Sequence, residues 1–90
     1  MNVIFSKTAR KQLEDWEKSN PKTVDKIDEL LDDIRENGFL HGKGKPEQLK
    51  YYKPPPRFSR HITRNDRLVY SACNVNDLLV ISCKGHYDDK

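Results

Sequence analysis

One carboxylate in this sequence stands out because of the residues around it. Glu47 follows a basic loop, Gly42-Lys43-Gly44-Lys45-Pro46, and it is one of only two acidic residues between positions 41 and 70. An ionised carboxylate held among cations can act as a base beside a phosphodiester. From its position alone, a surface glutamate that only balances charge remains the simpler interpretation.

Three further residues have side chains suited to phosphodiester cleavage. Arg67 begins an otherwise apolar run, so we expect it at a sheet edge, where a guanidinium can bind phosphate through two N–H groups. His86 can donate or accept a proton near neutral pH, and Tyr87 can hydrogen-bond a phosphate oxygen or stack on a base. The competing interpretations are an ion pair between Arg67 and an acid such as Asp66, and a frayed C-terminus.

The positive charge of the chain is concentrated in one third of its length. The formal net charge is +3, but residues 1–40 carry −2, residues 41–70 carry +6 and residues 71–90 carry −1. A local patch of this kind points to an anionic partner, with nucleic acid the leading candidate, and the alternative is a solvated strand face with its aromatic residues in the core. Aromatic residues among the cations could stack on bases. The residues predicted to contact RNA are Lys43, Lys45, Lys50, Tyr51, Arg57, Arg60, His61 and Arg64.

Metal-dependent chemistry has little support in the sequence. No two acids are spaced to hold a pair of metal ions beside the basic segment, and Cys73 and Cys83 form no C-x-x-C motif. We therefore expect neither a metal nor another cofactor, and we expect both thiols to be free and buried. A carboxylate, an arginine and a histidine are enough for metal-free RNA cleavage, which needs a base, a cation and an acid.

The first half of the chain is predicted to form two helices. Apolar residues recur at helical spacing from Ala9 to Trp16 and from Val24 to Ile34. Ser6 and Asn20 are suitable N-caps, and Gly38 is placed to end the second helix. The second half changes to short β-rich runs separated by turns, which predicts an antiparallel meander. The predicted strands cover residues 3–5, 47–52, 57–63, 67–73 and 78–84.

These elements predict an α+β fold in a single domain, residues 1–90. We expect a short N-terminal strand and a two-helix hairpin packed on an antiparallel sheet of about four strands. The longest apolar run, Leu78–Ile81, is far shorter than the ~20 residues that a membrane span needs. The N-terminus also lacks the apolar region of a signal peptide, so a cytoplasmic protein without a membrane partner is expected.

Taken in order, these segments resemble the Txe/YoeB toxins of the RelE superfamily. The resemblance lies in residues 42–50, in Phe58–Thr63, in Arg67–Tyr70 and in His86-Tyr87, and it spans nearly the whole chain. It implies a RelE-like fold and a toxin of a bacterial type II toxin–antitoxin pair that cleaves mRNA in the ribosomal A site. The implied partners are mRNA on the ribosome with its 16S rRNA, a Phd/YefM-type antitoxin, operator DNA only through the antitoxin complex, and a second copy of the chain.

The resemblance also implies roles for individual residues. Glu47 would be the general base, His86 the general acid and Arg67 the cation that stabilises the transition state, while Tyr87 would orient the scissile nucleotide. The expected product is a 2′,3′-cyclic phosphate, formed without a metal. Two departures from the family pattern are His61, where a second arginine is usual, and the extension at residues 88–90.

Two alternatives remain open at the level of sequence. A basic RNA- or DNA-binding module without catalytic activity would explain the charge of residues 41–70 equally well. An inactive toxin homologue that acts only through its antitoxin would keep the same motifs.

Overall fold

The computed structural model describes residues 1–50 and 53–85. The elements in these ranges are strand β1 (Asn2–Phe5), helices α1 (Lys7–Ser19) and α2 (Pro21–Asn37), and strands β2 (Glu47–Gln48), β3 (Arg57–His61), β4 (Arg67–Ala72) and β5 (Asp77–Ser82). The strands form one sheet in the order β1-β5-β4-β3-β2. The predicted α+β arrangement is confirmed, and the sheet has five strands where about four were expected.

The additional strand pairing lies at the N-terminal edge of the sheet. Strand β1 runs parallel to β5, with Val3 opposite Leu78, whereas every other neighbouring pair is antiparallel. The sheet is therefore mixed rather than purely antiparallel. Periodicity in β1 predicts a strand but not its neighbour, because its partner lies at the opposite end of the chain.

Both helices begin and end where the sequence predicts. The Ser6 side chain accepts a hydrogen bond from the Ala9 N–H at 3.0 Å and donates one to the Ile81 carbonyl at 2.7 Å, so the start of α1 is tied to β5. Pro21 occupies the first turn of α2. Gly38, with φ of +88°, ends that helix by donating its N–H to the Ile34 carbonyl at 2.9 Å.

The hydrophobic core lies between the helices and one face of the sheet. Alternate strand residues point toward the helices, and Phe39, just beyond α2, packs edge-to-face on Phe58 and Tyr70 with ring centroids 5.1 and 5.6 Å apart. The opposite face, which we call the open face, carries the intervening residues of each strand. The buried core residues of the sheet are Phe58, Leu68, Tyr70, Leu78 and Val80, and those of the helices are Ala9, Ile27, Leu30, Leu31 and Ile34.

The two cysteines differ in burial, and the prediction that both are buried is wrong for Cys73. Ala72, not Cys73, pairs with Leu78, so Cys73 falls in the turn after β4 and is exposed. Cys83 is fully buried. Burial raises the pKa of the Cys83 thiol to about 11, and the negative charge of Asp66 contributes to the increase.

Neither helix in residues 1–50 and 53–85 combines the length and the apolar character needed to cross a membrane.

Candidate active site

The strand register brings the candidate base and the candidate cation to the open face. Glu47 pairs with Ser59, and His61 pairs with Arg67. Residues paired across antiparallel strands point to the same face of a sheet, so Glu47, His61 and Arg67 share the open face. From the standard strand spacing and rise, the Cα atoms of Glu47 and Arg67 lie about 12 Å apart. Two long side chains can converge on one phosphodiester across that distance.

Arg67 is the first residue of β4, so it lies at the end of a central strand rather than on an edge strand. Its Nη1 donates to the backbone carbonyls of Thr63, Arg64 and Asp66 at 3.0, 3.1 and 3.1 Å. The Asp66 carboxylate is not its partner. Within residues 1–50 and 53–85, no hydrogen bond engages Arg67 Nε or Nη2. The turn thus holds the guanidinium through Nη1, and Nε and Nη2 are the nitrogens that could bind a phosphate.

Arg60 is not accessible to RNA, and its predicted RNA contact is wrong. The side chain is 0% exposed. Its Nη1 forms an ion pair with Asp33 of α2, and its Nε donates to the Tyr70 hydroxyl at 3.0 Å. The reason is the alternation along β3, because Arg60 points to the same face as Phe58, which belongs to the core.

The buried Arg60 organises the loop between α2 and β2. Its Nη2 donates to the carbonyls of Gly38 and His41 at 2.7 and 2.8 Å, and its Nη1 donates to the Lys43 carbonyl at 2.9 Å. The Lys43 N–H in turn donates to Asp33 at 2.9 Å. The hydrogen bonds from the Lys43 amide and from Arg60 hold the pKa of Asp33 below its usual value. This network fixes residues 38–43, which lead into the strand that carries Glu47.

The rest of the basic loop follows the edge of the sheet. The His61 N–H donates to the Gly44 carbonyl at 2.7 Å, so the loop continues alongside β3. The Lys43 ammonium lies 2.9 Å from the Glu29 carboxylate, which raises the pKa of Lys43 and lowers that of Glu29. Acids of α2 therefore balance the charges of Lys43 and Arg60. Three of the predicted RNA contacts, Lys45, Lys50 and Arg64, are exposed and form no ion pair among the described residues. Two others, Arg57 and His61, are half-buried on the open face.

Sequence reasoning missed one hydroxyl in the site. Ser59 is 0% exposed and lies opposite Glu47 on the open face. Its Oγ has no hydrogen-bond partner among the residues that the structure describes. Buried hydroxyls are usually paired, because an unsatisfied one costs about 1–3 kcal/mol. The only signal in the sequence is the alternation that places Ser59 and His61 on one face.

The C-terminal pair and one aromatic residue of the predicted site lie outside the described residues. These are His86, Tyr87 and Tyr51. Gly85, which precedes His86, is described, and its carbonyl accepts a hydrogen bond from the Arg67 N–H at 3.0 Å. The described chain therefore ends in contact with the strand that carries the candidate cation.

The tight approach of the loop to α2 makes a testable prediction at Gly42. Gly42 has φ of +109°, and a Cβ there would overlap the Asp33 carboxylate, whereas Gly38 has φ of +88° and open space around its Cα. Gly42→Ala should lower the free energy of unfolding by about 1–3 kcal/mol more than Gly38→Ala does. Gly38→Ala is the matched control, because it carries the strain without the overlap. Equal losses of unfolding free energy in urea would contradict the proposed close contact.

The fold and the site together define a class of protein. A mixed sheet with two helices packed on one face is the fold of the RelE/ParE-like toxins, which are among the structural neighbours of this chain. Within that class the chain belongs to the YoeB family, because residues 5–87 match the family model of the YoeB-like toxin of bacterial type II toxin–antitoxin systems.

Individual relatives agree with this assignment. The chain is 38% identical to toxin YoeB of Escherichia coli K12 over 87 residues, which cover 97% of this chain and all of that protein. It is 40% identical to the chain in a YoeB dimer from Staphylococcus aureus, with a TM-score of 0.89, covering 97% of this chain and 98% of that one. A heterotetrameric YoeB–YefM toxin–antitoxin complex from the same organism gives a TM-score of 0.86 at 40% identity and the same coverage.

Proposed function

We propose that this YoeB-family toxin is a ribosome-dependent endoribonuclease that cleaves mRNA in the ribosomal A site and thereby inhibits translation. The observation that carries the proposal is the shared position of Glu47 and Arg67 on the open face. The residue before His86 is hydrogen-bonded to the backbone of Arg67, which supports a site that also includes the C-terminal pair. A base, a cation and an acid are the groups that metal-free cleavage of RNA requires.

The proposed reaction is an intramolecular transfer at phosphorus. Glu47 takes the proton from the 2′-hydroxyl, the 2′-oxygen forms a bond to phosphorus, and the bond from phosphorus to the 5′-oxygen breaks. His86 gives its proton to the departing 5′-oxygen, and Arg67 stabilises the negative charge on the phosphorane oxygens. Tyr87 orients the scissile nucleotide. The products are a 2′,3′-cyclic phosphate and a free 5′-hydroxyl, and no metal takes part.

The cations around the open face are proposed to bind the ribosome and its mRNA. Arg57 and His61 lie on this face, and Lys45, Lys50 and Arg64 are exposed around it. Phosphate contacts of this kind supply affinity that does not depend on sequence. Lys43 and Tyr51 are proposed to belong to the same surface. Arg60 is left out because it is buried in the core.

The proposed partners follow from the relatives. The Staphylococcus aureus toxin forms a dimer and a complex with YefM. For this chain we propose a homodimer and neutralisation by a Phd/YefM-type antitoxin, through which the complex would reach operator DNA. Action on translating ribosomes would place the protein in the cytoplasm.

Primer extension on mRNA from translating ribosomes tests the proposed activity. Addition of the protein should create new 5′ ends within translated codons, and the same mRNA without ribosomes should stay intact. Induced expression without an antitoxin should arrest growth. Ribosome binding without new 5′ ends would indicate a non-catalytic RNA-binding module, and normal growth on expression would indicate an inactive homologue. Either outcome would overturn the proposed function.

A further inference from the structure

The segment that follows β5 is held on two sides. On the helix side, the Cys83 N–H donates to Gln12 Oε1 at 2.7 Å, and Trp16 Nε1 donates to the Cys83 carbonyl at 2.8 Å. On the sheet side, the Gly85 N–H donates to Asp66 Oδ1 at 2.7 Å, and the Gly85 carbonyl accepts from the Arg67 N–H at 3.0 Å. Both backbone polar groups of Gly85 are thus engaged. Gly85 is therefore fixed relative to the turn before β4.

Asp66 is the last residue of the turn between β3 and β4, and it accepts several of the hydrogen bonds that hold this turn. Its Oδ2 accepts from the Thr63 hydroxyl at 2.7 Å while its Oδ1 accepts from Gly85. Its backbone carbonyl accepts from the N–H groups of Ile62 and Thr63 at 2.9 and 3.3 Å. Hydrogen bonds to an ionised carboxylate are roughly twice as strong as neutral ones. The Asp66 carboxylate is thus held by Thr63 within the turn, and it also binds Gly85, which is distant in sequence.

The same turn also holds the candidate cation. Arg67 Nη1 contacts the carbonyls of Thr63, Arg64 and Asp66, and the Arg67 N–H contacts Gly85. The same turn therefore contacts both the Arg67 guanidinium and Gly85. Such a connection is useful to an enzyme, because small errors in the placement of catalytic groups cost about 100-fold in rate.

We infer that Asp66 is a positioning residue: it fixes Gly85 beside Arg67, and through Gly85 it supports the cleavage step proposed for His86 and Tyr87. This inference rests on the proposed function of the site. Asp66 itself does not touch the substrate in this scheme and acts only through the backbone of Gly85. The simpler alternative is an acid that stabilises its own turn and has no effect on chemistry.

A matched control distinguishes the two. Asp77 lies at the end of the turn between β4 and β5, where its carboxylate accepts from Asn74 Nδ2 at 2.7 Å. Asp77→Ala also removes one negative charge from a turn of the meander, but the Asp77 carboxylate accepts from Asn74 and not from Gly85. Asp66→Ala and Asp77→Ala can therefore be compared directly, and Asp66→Asn keeps one acceptor oxygen in case the alanine variant folds poorly.

The measurement is the single-turnover cleavage rate of mRNA on programmed ribosomes, with the ribosome affinity determined separately. Asp66→Ala should slow cleavage about 10–100-fold at saturating ribosomes without weakening ribosome binding. The cleavage rate of Asp66→Asn should lie between that of Asp66→Ala and that of the unmutated chain. Asp77→Ala should cleave at the unmutated rate. In a His86→Ala background, Asp66→Ala should cause no further loss. An unchanged rate in Asp66→Ala, or an equal additional loss in the His86→Ala background, would overturn the inference. Full activity of His86→Ala would overturn the proposed function instead.

Discussion

Glu47→Gln is expected to slow mRNA cleavage on the ribosome by about 10²- to 10⁴-fold, the range that a general base contributes. The amide is nearly the same size as the carboxylate but cannot accept the proton of the 2′-hydroxyl. Glu47 is exposed on a strand of two residues, so the substitution should leave the free energy of unfolding within about 0.5 kcal/mol of its original value. Loss of cleavage with retained stability would identify Glu47 as part of the chemistry.

The control for this substitution is Glu36→Gln, which removes one negative charge from the exposed side of α2. It should leave the cleavage rate unchanged. Ribosome binding by Glu47→Gln should also be preserved, because the change leaves every cation in place. Cleavage by Glu47→Gln at the rate of the unmutated chain would refute the assignment of Glu47 as the base.

Arg60→Met is expected to have the largest effect on stability, a loss of about 3–5 kcal/mol. Methionine fills much of the volume but supplies none of the donors that reach Asp33, Tyr70 and three backbone carbonyls. The loss arises because buried acceptors are left without partners. Because native proteins of this size have little stability in reserve, the substitution should remove a large part of the free energy of unfolding.

The matched control is Arg35→Met, which breaks the exposed pair between Arg35 and Asp32 on the same helix as Asp33. Exposed pairs of this kind contribute at most about 1 kcal/mol. Arg60→Lys should be intermediate, because a lysine keeps the charge but cannot form the fork of hydrogen bonds. Urea unfolding followed by circular dichroism measures all three variants. Similar stability for Arg60→Met and Arg35→Met would refute the structural role of Arg60.

The expected loss of cleavage in Glu47→Gln and the expected loss of stability in Arg60→Met are structurally connected. The buried ion pair between Arg60 and Asp33 holds the loop that leads to β2, and β2 presents Glu47. Asp66 holds the residue before His86 in the same way. Glu47 therefore lies on a two-residue strand, His86 directly follows Gly85 in the sequence, and buried or half-buried charges hold the described residues next to both. Preorganisation of this kind is what a site with few residues requires.

Much of the scaffold was predictable from local pattern. The N-cap at Ser6 and the helical spacing of apolar residues predict both helices, since these signals act within a few residues of the chain. The turn residues predict the meander of β3, β4 and β5 for the same reason. The segments 42–50, Phe58–Thr63, Arg67–Tyr70 and His86-Tyr87, taken together, indicated the family, which the comparisons confirm.

Arg60 shows a conflict between two signals in the sequence. Strand alternation groups Arg60 with Phe58 and Ile62, which belong to the core. The positive charge of the segment groups it instead with the predicted RNA contacts. Only its partner, Asp33, resolves the conflict, and that residue is 27 positions away. A buried arginine is stable only when a specific acceptor set surrounds it, and a linear sequence does not show which acceptors will meet it.

By itself, the sequence determined the helices, the strand meander and the identity of the family. The tertiary structure alone decided three things: the parallel pairing of β1 with β5, the burial of Arg60 against Asp33, and the attachment of Gly85 to Asp66. The physical reason is the same in each case. Periodicity and capping act between residues a few positions apart, whereas these contacts join segments that become neighbours only when the whole chain has folded.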